Sequence, residues 1–129
     1  MPAKTSATLT EAELRLMEVL WAKGPSSVQQ VVDSLPHDTP LAYNSVLTTI
    51  RILEKKGYVQ HDKDGRAHIY KPVVARQEAA RSEVRNLMRR MFRNSHELLV
   101  LNVLEEAQID VDELNHLRTL LKQKKEEGK

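Results

Sequence analysis

An Asp64-Gly65 step sits near the middle of a chain that is otherwise patterned for helices. Asp-Gly is the strongest short hairpin signal, because a type I′ turn needs positive φ at both central residues. The flanks agree with it. Tyr58 to His61 leads in through Asp62-Lys63, and Ala67 to Val73 returns after Arg66, with Ile69 alternating against His68 and Tyr70. The fold must therefore place one β-ribbon, with Lys63 and Arg66 at its tip, beside helices.

Three helices precede the ribbon. Thr10 with Glu13 is a capping box, and Leu9 with Leu14 is a hydrophobic staple across it. Leu14, Met17, Leu20 and Trp21 give the first helix an apolar face, and Gly24-Pro25 ends it. The second helix starts at Ser26 or Ser27, each with a glutamine three residues on. Its buried stripe is Val28, Val31, Val32 and Leu35, at i, i+3, i+4, i+7. Pro36 stops it.

The third helix runs from about Ala42 to Lys56, with Gly57 as its C′ residue. With about 100° per residue and Val46 at zero, Ile50 and Leu53 fall within about 40° and face the core. Asn44, Thr48, Arg51 and Lys55 fall between about 140° and 200°, on the opposite face. A plain solvated helix carries Glu and Lys there. Asn, Ser and Thr are mediocre helix formers, so a face built from them points to recognition.

Three helices followed by a hairpin is the order of a winged helix-turn-helix. The expected fold is mainly α: three helices plus a β-hairpin wing, then a C-terminal helical region. In this architecture the third helix enters the DNA major groove. Asn44 can pair with adenine, Arg51 with guanine or phosphate, and Ser45, Thr48 and Thr49 with phosphates or base edges. Lys55, Lys63 and Arg66 meet the backbone. Charge agrees: residues 44–71 and 76–93 carry a basic excess, and both outer segments carry an acidic one. The alternative reading is a winged-helix adaptor that binds proteins without specific DNA readout. Salt-dependent binding to duplex DNA separates the two.

Beyond Pro72 to Ala75 the chain is helical. Arg76 to about Phe92 carries Val84, Leu87, Met88 and Met91 on one face, and Arg81, Arg85 and Arg89 as a basic stripe. Ser95 opens a helix with Leu98, Leu101 and Leu104. Asp110 with Glu113 opens the last one, with Leu114, Leu117, Leu120 and Leu121. So short a segment closes no core of its own. Its apolar stripes, from Leu87 and Met91 to Leu121, need a partner, and a second copy of the chain on a two-fold axis supplies one. The expected division is a DNA-binding domain over residues 1–75 and a helical dimerisation domain over 76–129.

The stretch Leu41-Ala42-Tyr43-Asn44-Ser45-Val46-Leu47-Thr48, continued by Ile52-Leu53-Glu54-Lys55-Lys56-Gly57-Tyr58-Val59, resembles the penicillinase and methicillin-resistance repressors. Glu13 to Trp21, Leu99-Val100-Leu101-Asn102 and Asp112-Glu113-Leu114 are similar as well, so the resemblance covers nearly the whole chain. It implies a homodimeric transcriptional repressor bound to a palindromic operator in double-stranded DNA, with Tyr43 joining the DNA-binding set. It also implies a membrane metalloprotease sensor that ends repression through cleavage in the dimerisation region. The matching bond is Asn102–Val103.

Other chemistry finds little support. There is no cysteine, which excludes disulfides, thiolate metal sites and cysteine nucleophiles. The five histidines lack ligand spacing, and His61, Asp62, Asp64 and His68 read as a solvated turn rather than an ion site. No phosphate loop or nucleophile elbow occurs. No catalytic residue, metal or cofactor is expected. The longest uncharged apolar stretch, Leu98 to Leu104, is far short of the ~20 residues a membrane helix needs. Met1 to Thr8 lacks the apolar core of a signal peptide, so a cytoplasmic protein without membrane insertion is expected.

Overall fold

The computed structural model describes residues 8–128. Met1 to Ala7, most of the stretch read above for a signal peptide, and Lys129 lie outside the described residues. The elements in chain order are α1 (Glu11–Lys23), α2 (Val28–Ser34), α3 (Tyr43–Lys56), β1 (Val59–Asp64), β2 (Ala67–Pro72), α4 (Arg76–Met91), α5 (His96–Glu106) and α6 (Val111–Glu127). They divide into two compact units, one ending at Leu87 and the other beginning at Met88.

In the first unit the caps set the helix starts. The Thr10 hydroxyl accepts the Glu13 N–H at 3.2 Å, and the Glu13 carboxylate accepts the Thr10 N–H at 2.9 Å. Ser27, not Ser26, caps α2, in a second reciprocal box with Gln30. Ser26 is buried instead, and exchanges backbone hydrogen bonds of 2.9 and 2.8 Å with Tyr70. The α1–α2 connection thus adds a short third rung to the hairpin, which the sequence pattern did not show. Gly57 ends α3 in the left-handed region, at φ 91°.

The core gathers Leu16, Met17 and Leu20 of α1, Val31 of α2, Val46, Ile50 and Leu53 of α3, and Tyr58, all inaccessible to solvent. Val28 and Leu35 are buried and Val32 packs against them, as their spacing predicts. The α1 face differs from the expected one. Leu14 is 37% exposed, and Leu16 takes its place in the core. The helix is turned so that Glu13 points inward to Lys56, 2.8 Å away. Trp21 lies at the edge of the core, and its indole N–H donates to the Val74 carbonyl at 2.9 Å.

The Glu13–Lys56 pair ties the start of α1 to the end of α3. Burial acts to raise the Glu13 pKa. The hydrogen bonds from Lys56 and from the Thr10 N–H, with the Lys56 charge, outweigh it and hold the carboxyl below its ordinary value of 4.5. A lowered carboxyl pKa stabilises the fold fully above the ordinary value, and that stability is lost as pH falls through the folded pKa. Thermal melts of the wild type should therefore lose stability below about pH 4.5. Glu13→Gln should weaken the fold at neutral pH by about 2 kcal/mol, since it leaves a partly buried ammonium without its counter-charge. It should also flatten the acid limb of the melting profile.

In the hairpin, Val59 pairs with Pro72 and the register runs to Asp64 opposite Ala67. The two turn residues are thus Gly65 and Arg66, and only Gly65 has positive φ, at 64°. This corrects the type I′ expectation: Asp64 is the last strand residue, and glycine at the first central position is the type II′ arrangement. Tyr70 rather than Ile69 is the buried residue of β2, because the Ser26 rung and α3 cover its side of the ribbon.

The apolar face expected for α4 is not the one it buries. Ala79, Ser82 and Asn86 are buried, while Val84, Leu87 and Met91 stay exposed. The Glu83 carboxylate of α4 accepts the Leu9 N–H at 2.9 Å. Arg76 pairs with Glu18 at 2.6 Å and sits 4.9 Å from the centre of the Trp21 ring.

In the second unit, Ser95 caps α5 and Asp110 caps α6. Neither helix has a buried residue. The α4–α5 connection passes through Arg93 at φ 49° and Asn94 at φ 64°. Asparagine tolerates this region, but arginine is strained there by its Cβ. Arg93→Gly should raise stability by about 0.5–1 kcal/mol, read as a higher melting temperature. None of the helices among the described residues is long and apolar enough to cross a membrane.

Candidate nucleic-acid interface

The exposed face of α3 is built by its own periodicity. With Val46, Ile50 and Leu53 fully buried, Tyr43, Asn44, Ser45, Thr48, Arg51 and Lys55 are all exposed. Thr49 is the exception in the expected set: it is half-buried, and its hydroxyl donates to the Ser45 carbonyl at 2.8 Å. The helix begins at Ala42 with no side chain capping it, unlike α1 and α2. Its first-turn N–H groups are therefore open to an acceptor such as a phosphate.

The wing stands beside this face. Strand alternation and the register place His61, Lys63, His68 and Tyr70 on one side of the ribbon. Tyr70 is buried against α3, with Arg51 near its hydroxyl. Burial, with the nearby Glu54 carboxylate, pushes that hydroxyl above the ordinary 10.0, against the pull of Arg51. Arg51 is exposed on the face that sequence periodicity assigned to it. His61 Nδ1 lies 2.7 and 3.0 Å from the two Glu54 carboxylate oxygens, and its ring stacks on His68 at 4.7 Å. Lys63 and Arg66 are exposed at the hairpin end.

Between α3, the start of α2 and the wing runs a groove of about 350 Å³, lined in part by Ser27, Gln29, Tyr43, Arg51, Arg66, His68 and Tyr70. It brings together expected residues from two elements, Tyr43 and Arg51 of α3 with Arg66 of the hairpin. Ser27, Gln29, His68 and Tyr70 were not expected there. The cross-strand register would have signalled His68 and Tyr70; nothing in the local pattern signals Gln29. No group of three or more His, Asp or Glu side chains suited to a metal occurs among the described residues.

The expected dimerisation set comes from α4, α5 and α6. Leu87 and Met91 of α4, Leu98 and Leu101 of α5, and Leu114, Leu117, Leu120 and Leu121 of α6 are all between 38% and 65% exposed. Leu104 is half-buried. Asn102 and Val103 are exposed in the middle of α5, where the Asn102 amide donates to the Leu98 carbonyl at 2.9 Å.

Known proteins share this arrangement. The Penicillinase repressor of Bacillus licheniformis is 26% identical over 121 residues, covering 94% of each chain. The methicillin resistance regulatory protein MecI of Staphylococcus aureus is 24% identical over 116 residues, covering 90% of this chain and 94% of its own. The transcriptional regulator BlaI of Mycobacterium tuberculosis is 39% identical over 71 residues, 54% of this chain and 51% of its own. Among solved structures, the solution structure of the DNA binding domain of the repressor BlaI matches with a TM-score of 0.51 and 27% identity, over 58% of this chain and 92% of that one. The penicillinase repressor family as a whole matches residues 9–123, from the start of α1 into α6. With fold, element order and nearly the full length in agreement, the chain belongs to the penicillinase repressor family of DNA-binding transcriptional regulators.

Proposed function

We propose that this protein is a homodimeric, cytoplasmic repressor, not an enzyme, that reads a palindromic operator in double-stranded DNA. Residues 1–75 act as its DNA-binding domain and residues 76–129 as its dimerisation domain. The observation that carries this reading is the outer face of α3, polar and basic over four turns while its inner face is fully buried. Asn44 and Arg51 read base edges, Tyr43, Ser45, Thr48 and Thr49 contact edges or phosphates, and Lys55, Lys63 and Arg66 hold the backbone. Family membership and relatives named as repressors support the same role.

Repression ends by cleavage at Asn102–Val103, made by a membrane metalloprotease sensor. The exposure of both residues supports this, as does their place in a helix with no buried residue, since such helices open locally at low cost. Cutting there detaches α6 from the rest of the chain. Co-expression with a membrane metalloprotease of the source genome, followed by mass mapping, tests it. Intact protein despite full derepression rejects the mechanism.

Selection from a random duplex pool tests the DNA reading. Enrichment of a two-fold symmetric site is expected, with binding that weakens with salt. Contacts to roughly 8 phosphates give a log–log slope near about −7. An adaptor for proteins would enrich no sequence and show no such slope.

A further inference from the structure

The wing carries a pair of stacked imidazoles, His61 and His68. We infer that His61 and His68 form a proton-coupled contact to the DNA backbone, so that the affinity of this protein for its operator rises as pH falls through the histidine range. This inference rests on the DNA-binding reading above.

The rings stack with centroids 4.7 Å apart and planes 24° apart. His61 Nδ1 lies 2.7 Å from a Glu54 carboxylate oxygen. The other groups on that side of the ribbon are Lys63, opposite His68, and Tyr70, with Arg51 near its hydroxyl. Asp62 pairs with Lys71 on the other side of the ribbon, and Asp64 shares that side by register, so neither carboxylate faces the imidazoles.

A phosphate backbone at the wing would bring anionic oxygens beside the imidazoles. His68 is exposed and lines the groove with Arg51 and Arg66. Phosphate oxygens there stabilise an imidazolium as they stabilise the neighbouring guanidinium groups. The complex thus holds more protons than the free protein, and linkage favours the form that holds more as pH falls.

The test measures affinity of the full-length protein for its selected duplex at about pH 6 and about pH 8, at fixed salt and with chelator present. The wild type should bind at least about tenfold more tightly at the lower pH, an average uptake of about half a proton across the two-unit span. The double variant His61→Gln with His68→Gln should lose that dependence, with equal affinity at the two pH values. The triple variant His37→Gln, His96→Gln and His116→Gln should keep it. Circular dichroism at both pH values confirms folding. A wild type with equal affinity at the two pH values overturns the inference, as does a double variant with the wild-type pH dependence. Failure of the wild type to bind any selected duplex at either pH overturns the DNA reading itself.

Discussion

Replacing Leu117 and Leu120 of α6 with Asp should leave the protein monomeric. Both side chains are close to half-exposed in a helix that buries nothing within its own chain. In a dimer seam each carboxylate would be taken out of water without a partner, at several kcal/mol apiece, roughly 2–7 on the scale for unpaired polar burial. Sedimentation should show the dimer disappear. The melting of the first unit should be unchanged, since its core draws on α1 to α3, the hairpin and the start of α4. Operator affinity should fall by about 100-fold or more, because a monomer loses the effective concentration that joins two half-sites. A wild-type chain that sediments as a monomer at micromolar concentration would end the dimer reading.

Arg51→Ala and Asn44→Ala should each reduce affinity by about 1–3 kcal/mol per half-site and relax sequence preference at the bases they meet. Lys63→Ala and Arg66→Ala in the wing should act differently, weakening binding evenly across sequences and lowering the salt slope. Competition with shuffled duplexes separates the two outcomes. An Arg51→Ala variant with unchanged affinity and preference would show that α3 meets DNA on another face, or not at all.

The helices were legible because their signals are local. A capping box, a C′ glycine and a buried stripe each involve residues within two turns of one another, and Thr10, Gly57 and the Val46–Ile50–Leu53 stripe all behave as their spacing demands. The outer face of α3 followed from the same periodicity. Burying one side of a helix leaves the other side no choice. The partly mistaken readings share a different cause. Leu14 and Leu16 both fit an amphipathic α1, and the long-range pair of Glu13 with Lys56 selected Leu16. Tyr70 was buried over Ile69 by a backbone rung from Ser26, far off in sequence. The union of Arg51, His61, His68 and Glu54 at one corner likewise exists only once the ribbon has folded against α3. Hydrogen-bonding and hydrophobic periods determine which faces a segment can offer. Which face meets which neighbour depends on contacts between distant residues, and those exist only in the assembled tertiary structure.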